Sequence, residues 1–426
     1  VATYEFWLLD DTGRRMMLLE GYTYAAYSRS VSGFGTFEIG FPYQEFSKKI
    51  SPIFRPDWRI DVWRSPAPGI PMRREQTYLL RMHKIDTRTD GVQILKYYCR
   101  DPKDLLNRRY VLQAAGLSFT RKTDYIDDMM KAIVREQMLY GNALDPDGVL
   151  DPDRAFPTGE FLVQANQSLG PSFTYNFSDR NVLDILKELQ DASFQLALDN
   201  IGYERIYFDV VPYELKGLVE EILDEQDPTS PILDEMGMAL LDELSLIVST
   251  ELGFRFETYS GLRGKDRTQG VIFSVENNNL LAPFYSLSHL EEVNTVIVKG
   301  FGRGDSRAHV TVQNDVLISQ SRWARYESFK DGSDEPDQNL LENLGQEVLY
   351  KGKPEEEFSA EFLNVPGGPD SPRSLYAVDW DLGDLLPVRY AGKSFDVEVD
   401  IVYIAISEDG KETISGRSRS NAIATS

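Results

Sequence analysis

Cys99 is the only cysteine in 426 residues, so no disulfide can form within the chain and nothing indicates secretion. Histidine is almost as scarce. His83, His289 and His309 lie far apart, without the clustering of a dedicated zinc site. Basic residues are in deficit: 45 Lys and Arg face 68 Asp and Glu, a net charge of −23. A surface that acidic repels DNA, RNA and anionic lipid, so nucleic-acid binding is not expected as the main role. Long apolar runs are missing too. No run approaches a transmembrane span, and Val1 to Asp10 has neither the basic start nor the apolar core of a signal peptide. The expectation is a protein made in a cytoplasm, soluble until it assembles, with no membrane anchor. Low-complexity tracts and short-period repeats are absent, as are a Gly-x-Ser-x-Gly elbow and a His-Glu-x-x-His pair.

What is present suits a folded, β-rich chain of two to four domains, with 42% hydrophobic and 12% aromatic residues. Tyr4–Leu9 and Met16–Leu19 flank Asp10-Asp11-Thr12-Gly13, a hairpin signal. In Thr36–Phe41, Phe37, Ile39 and Phe41 alternate with Thr36, Glu38 and Gly40. In Trp58–Trp63, Trp58, Ile60 and Val62 oppose Arg59, Asp61 and Trp63. Tyr78–Thr87 and Val92–Cys99 flank the turn signal Asp90-Gly91. Short alternating strands joined by tight turns predict a small antiparallel barrel or sandwich.

The middle of the chain reads as α+β. Ile126, Met129, Met130, Ile133, Val134 and Met138 follow helical spacing, with Asp124 placed to cap. A second helix is predicted after Ser178, with Val182, Leu183, Leu186 and Leu189 inward. Phe194–Leu198 and Arg205–Val210 read as the strands of a hairpin. Between Glu214 and Glu251, eleven acidic residues face Lys216 alone, over two amphipathic stripes separated at Ser230-Pro231. This segment predicts a helical hairpin, packed on its own domain or serving as a docking arm.

Strands are predicted again at Gly270–Val275, Val293–Lys299 and His309–Val312. A helix follows at about Asp337–Tyr350, then strands at Ser359–Leu363, Leu385–Arg389 and Phe395–Ile406. Lys411 to Ser426 reads as a polar tail that tethers or links. The β-rich start and end are compatible with two copies of one barrel type. Gly300-Phe301-Gly302-Arg303-Gly304 follows a strand, but a strand and not a helix comes next, so it reads as a glycine turn rather than a phosphate loop. Asp145, Asp147, Asp151 and Asp153 lack the twelve-residue calcium loop ending in Glu and read as solvated. No catalytic residue, cofactor-binding residue or metal ligand is assigned.

Several segments in order resemble the tail hub family of long-tailed, non-contractile phages, which is related in fold to contractile-phage and secretion-spike hubs. They are YAAYSRSVSGFGTFEIGFP at Tyr24–Pro42, DWRIDVWRS at Asp57–Ser65, RDPKDLLNRRY at Arg100–Tyr110 and the Asp-Asp helix at Asp124–Val134. RGKDRTQGVIF at Arg263–Phe273, NTVIVKGFGRGDSR at Asn294–Arg307 and DWDLGDLLPV at Asp379–Val388 complete the series. The acidic insertion departs from the family pattern.

The resemblance implies a β-rich α+β fold with two antiparallel β-barrels, inserted α+β lobes and a helical hairpin insertion. It implies a first barrel at 1–112, a middle lobe at 113–284 and a second barrel at 285–426. It further implies a homotrimer that adapts a sixfold tail tube to a threefold tip, beside a distal tail protein ring, the tape measure protein and tip or receptor-binding proteins. DNA would pass through its channel without being specifically bound, and the location would be the virion. Structural roles fall to Gly33 and Gly35 in a tight turn, Trp58 and Ile60 in the core, Gly300 and Gly302 in the glycine turn, and Gly383 and Asp384 before a barrel strand. Two other classes remain: a carbohydrate-binding tip protein using Tyr22, Tyr24, Tyr27 and Phe34, and a cell-wall hydrolase.

Overall fold

Alternation at the start of the chain produces seven strands. A computed structural model describes residues 2–43, 55–66, 68–112, 120–139, 151–157, 159–177, 180–199, 204–214, 252–302, 306–333, 337–369, 371–418 and 423–424. Two compact units emerge. The first comprises Val1–Val271, Leu363–Leu385 and Val399–Gly416; the second comprises Ile272–Phe362, Leu386–Glu398 and Arg417–Ser426.

The first unit begins with β1 (Thr3–Leu9), β2 (Arg15–Leu18), β3 (Tyr24–Ser30), β4 (Thr36–Pro42), β5 (Arg59–Ser65), β6 (Arg73–Thr87) and β7 (Gln93–Arg100). They lie in the order β2-β1-β5-β6-β7-β4-β3. The hairpins at Asp10–Gly13 and Asp90–Gly91 form as expected, with both glycines in the left-handed region. One face collects Phe6, Leu8, Phe37, Ile39, Phe41, Ile60, Val62 and Tyr78, all buried. Phe37 packs on Phe6 and on Tyr78 with ring centroids 5.5 Å away in each case. Each such side chain stabilises the fold by roughly 1.5–3 kcal/mol. The opposite face of β5 is buried as well. Asp61 accepts a 2.5 Å hydrogen bond from the Thr77 hydroxyl, and Arg59 donates one to the Asp11 carbonyl while covering the Phe254 ring.

A helical lobe follows in the same unit: β8 (Thr120–Tyr125), α1 (Ile126–Met138), β9 (Phe161–Val163), β10 (Ser172–Phe177), α2 (Val182–Asp199), β11 (Ile206–Glu214) and β12 (Leu252–Ser260). The apolar stripes of α1 and α2 meet each other and the β11–β12 pair in one core. Two expectations are corrected here. Asp124 does not cap α1, because β8 runs straight into the helix and Tyr125 takes the cap position without a side-chain bond. Phe194–Leu198 is not a strand but the last turns of α2. Phe194 extends the helical stripe onto Tyr207, and β11 pairs with β12 instead. Asn181 caps α2 through the Leu183 N–H, while Ser178 lies outside the described residues, as do 215–251 of the acidic insertion.

The second unit contains β13 (Phe273–Ser274), β14 (Leu280–Ser288), β15 (Thr295–Lys299), β16 (His309–Gln313), α3 (Asp315–Ser319), β17 (Glu327–Asp331), α4 (Gln338–Lys351), β18 (Glu355–Leu363) and β19 (Leu385–Tyr390). The sheet β16-β15-β17 buries Val296, Val298 and Val312 beneath Leu341 and Leu349 of α4. β14 pairs antiparallel with β18, so Glu355–Glu357 belongs to a strand.

The chain closes with β20 (Lys393–Ser407), β21 (Glu412–Ser418) and β22 (Ile423–Ala424). In the first unit Ile401–Ser407 of β20 pairs antiparallel with β3, placing Ile404 opposite Tyr27. β21 pairs with β20, so Glu412–Ser418 of the expected polar tail is a strand. The class is β-rich α+β. Closed barrels are not formed among the described residues: β2, four residues long, ends the first unit's sheet, and β14 pairs on one side alone in the second. Without a partner beyond those edges, hydrogen bonding cannot run round a full circle.

Candidate functional site

Charged residues of three strands in the first unit mark the site. Arg29 sits in β3, Arg64 in β5, and Arg73 and Glu75 in β6. All of them meet residues from the end of the chain within the first unit. Arg29 Nη1 donates to Glu75 Oε2 at 3.1 Å, to Asp381 Oδ1 at 3.2 Å and to the Tyr376 hydroxyl at 2.7 Å. Arg73 donates to Glu75 Oε1 and to Asp381 Oδ2, each at 3.0 Å. The Tyr376 hydroxyl donates to Glu75 Oε2 at 2.8 Å. A second cluster lies near it: Arg64 Nη2 donates to Glu412 Oε1 at 3.1 Å, and the Tyr4 hydroxyl to Glu412 Oε2 at 2.5 Å.

The electrostatics follow from burial and pairing. Burial alone would raise the Asp381 carboxyl, but Arg29 and Arg73 outweigh it and hold the group below the usual carboxylate range. Burial likewise works against the Arg29 charge, yet Tyr376, Glu75 and Asp381 hold its proton more firmly than usual. These charges are neutralised by one another in the interior. Such pairing fixes which segments meet, and it is costly to break from one side.

Three pairs of the quoted segments interlock. Gly264 N–H donates to the Gly383 carbonyl at 3.0 Å, and Lys265 N–H to Asp384 Oδ1 at 2.6 Å. Arg267 Nε donates to Asp384 Oδ2 at 3.1 Å. Gly383 has φ +81°, and a Cβ there would lie 2.6 Å from the Arg263 Cβ. Asp384 is therefore buried at the crossing of Arg263–Phe273 and Asp379–Val388. At the second crossing, Gly35 N–H donates to Asp101 Oδ2 at 2.6 Å and Lys103 Nζ to the Ser30 carbonyl at 2.7 Å, joining Tyr24–Pro42 to Arg100–Tyr110. A Cβ at Gly35 would meet the Ser28 carbonyl at 2.5 Å. Burial raises the Asp101 carboxyl to about 6 against the opposing pull of Lys103. Third, Arg108 Nη2 donates to Asp57 Oδ1 at 2.9 Å.

Among the described residues, the remaining sequence candidates take no part in the ion pairs of these clusters. Gly33 N–H donates to Ser30 Oγ at 2.8 Å. Trp58 is buried next to the fully buried Ile60, and its carbonyl accepts from Leu80 N–H at 2.8 Å. Gly300 and Gly302 form the turn between β15 and β16: Gly300 N–H donates to the Ala308 carbonyl at 2.8 Å, and Gly302 has φ +124°. Arg29, Arg64, Glu75, Tyr376 and Glu412 were missed. Nothing local in the sequence marks them, because each is recognised by a partner far away in the chain, as Arg29 is by Asp381 and Arg64 by Glu412.

With this geometry in place, the sequence matches the family described as Siphovirus ReqiPepy6 Gp37-like protein over residues 5–416. The chain belongs to that family. No curated protein matches the sequence significantly. Among solved structures, the chain is similar to the prophage MuSo2 43 kDa tail protein from Shewanella oneidensis, at 10% identity and TM-score 0.49, covering 98% of each chain. It is similar to prophage tail protein gp18 from Listeria monocytogenes EGD-e, at 9% identity and TM-score 0.46, covering 98% of this chain and 94% of that one. It is also similar to the E. coli c3393 protein, described as a type VI secretion component resembling T4 tail proteins gp27 and gp5. There the identity is 8% and the TM-score 0.36, over 95% of this chain and 76% of that one.

Of the aromatic residues weighed for carbohydrate binding, Tyr27 is buried, while Tyr22, Tyr24 and Phe34 are partly buried. Tyr27 is 2% exposed and packs against Tyr4 and Tyr78. Tyr22 packs edge-on against Phe6, and Tyr24 donates to Glu38.

Proposed function

We propose that this chain is a structural subunit of a siphophage tail that assembles as a homotrimeric hub at the distal tip. The observation that carries this reading is membership of a siphovirus family along residues 5–416, through both β-rich ends of the chain. The order of the resembling segments supports it, and so does their interlocking at Asp384 and Asp101. In this reading 1–112 and 285–426 supply two β-rich blocks per copy, six around the axis, to match a sixfold tube. The middle lobe, 113–284, lies between them in the chain. Its neighbours are a distal tail protein ring, the tape measure protein and tip or receptor-binding proteins, within the virion. The charge of −23 keeps passing DNA from adhering, since like charges repel over roughly 10 Å at physiological salt.

Light scattering of the purified full chain should give three times the monomer mass. Cryo-electron microscopy of the particle, with this protein labelled, should place threefold density below the hexameric tube. A monomer at micromolar concentration together with label away from the tip would overturn the proposal.

A further inference from the structure

Two side chains in the interior of the first unit keep a polar atom without a hydrogen-bond partner among the described residues: the Tyr27 hydroxyl and Arg64 Nη1. Both residues are 2% exposed. Such atoms are rare in folded proteins, because burial strips water from them and returns nothing. The other nitrogens of Arg64 are fully engaged. Its Nε donates to the Tyr4 hydroxyl at 2.9 Å, and its Nη2 to Glu412 Oε1 and Oε2 at 3.1 Å each. Nη1 is the nitrogen left over, and it carries part of a positive charge.

The two atoms belong to one place. The Tyr4 ring lies 6.5 Å from the Tyr27 ring and 5.9 Å from the Arg64 guanidinium carbon, so both flank it. The same guanidinium lies 5.1 Å from the Tyr376 ring, and Tyr376 donates to Glu75. Burial, and after it the Glu75 charge, pushes the Tyr27 hydroxyl well above the usual tyrosine range. An occupant between the two atoms has to accept from Nη1 and meet a hydroxyl that can donate or accept. Its charge is constrained as well. Arg29, Arg64 and Arg73 already balance Glu75, Asp381 and Glu412 in these clusters, so an anion would add an uncompensated negative charge to the interior. A small neutral molecule with both lone pairs and protons meets every condition.

We propose that a single buried water bridges Arg64 Nη1 and the Tyr27 hydroxyl, tying β3 to β5 beside the Arg29–Glu75 cluster. This site is independent of the hub reading.

Tyr27→Phe keeps the ring and removes the hydroxyl, and urea denaturation and thermal melting of the full chain read the result. Loss of a hydroxyl that holds a water should lower the folding equilibrium constant about five- to tenfold and lower Tm. A hydroxyl buried without a partner gives the opposite sign, so a variant as stable as the parent chain, or more stable, would overturn the proposal. A crystal structure of the parent chain, at a resolution that shows ordered water, gives a second reading. Density for one water within hydrogen-bond distance of both atoms is expected. A hydroxyl bonded directly to Glu75, or no water between the two atoms, would overturn the proposal. The parent Tm is also followed while chloride replaces gluconate at constant ionic strength. A saturable rise with chloride would overturn it too, by making an anion the occupant.

Discussion

Arg29 and Asp381 stand 352 positions apart in the sequence and form an ion pair at 3.2 Å. The same guanidinium reaches Glu75, whose side chain is fully buried. A C-terminal loop is thereby registered on a sheet made from the first hundred residues, within one unit. Moving that loop off the sheet would leave the buried Glu75 and Arg29 short of partners, and an uncompensated interior charge is costly.

Replacing Arg29 by Met should cost about 3–5 kcal/mol, because Glu75 and Asp381 lose a buried countercharge. Arg29→Met combined with Glu75→Gln should be less destabilised than the sum of the single changes by about 1 kcal/mol or more. Urea denaturation of the four proteins measures this. Strict additivity would show that the pair does not couple.

Much of the fold was legible because its signals are local. Phe37, Ile39 and Phe41 declare a buried face by alternation, and Asp10–Gly13 and Asp90–Gly91 declare hairpins by turn chemistry. The misreadings arise where local pattern is degenerate. Phe194–Leu198 is a short apolar run that suits a strand or a helix end equally, and packing of Phe194 on Tyr207 decided for the helix. The C-terminal segment is polar in composition, yet Glu412 is drawn in by Arg64 and Tyr4. No periodicity within the segment carries that information. Asp384 was legible as a turn residue, whereas its bonds to Lys265 and Arg267 needed the fold.

Asp101 predicts a pH dependence of defined sign. Its folded value of about 6 lies above the ordinary aspartate value of about 4, so the folded state keeps a proton that the unfolded chain releases in that interval. The stabilisation is complete below about pH 4 and lost as pH rises through about 6. The stability of the parent chain relative to Asp101→Asn should therefore fall by about 3 kcal/mol between about pH 4 and pH 7. Urea denaturation at intervals across that range tests it, and a difference independent of pH would contradict it.

Gly383 and Gly392 both have left-handed backbone, with φ +81° and +76°, but differ in the space around them. A Cβ at Gly383 meets the Arg263 Cβ at 2.6 Å and the Gly264 nitrogen at 2.9 Å, whereas nothing lies within 4 Å at Gly392. Gly392→Ala should cost about 1 kcal/mol, from backbone conformation alone. Gly383→Ala should cost about 3 kcal/mol or more, since crowding against main chain is added. Thermal melting of the two variants separates the effects, and equal losses would show that the Asp384 crossing yields easily.

The acidic insertion offers the sharpest separation of folding from assembly. Glu214 and Leu252, which bound residues 215–251, are Cα partners at the end of the antiparallel pair β11–β12. Strand ends in that register can be joined by a two-residue Asn-Gly turn without shifting any other pair. Among the described residues, the core beneath this pair is built by Phe208, Val210, Phe254 and Phe256 against α1 and α2. Replacing 215–251 by Asn-Gly should therefore leave a folded chain whose Tm changes by only a few degrees, since loop length enters the stability logarithmically. If the segment is a docking arm, the shortened chain will fold yet fail to assemble into particles, as read by sedimentation of tails from a complementation lysate. A chain that no longer folds would instead tie the segment to its own domain, and normal particles would remove it from assembly altogether.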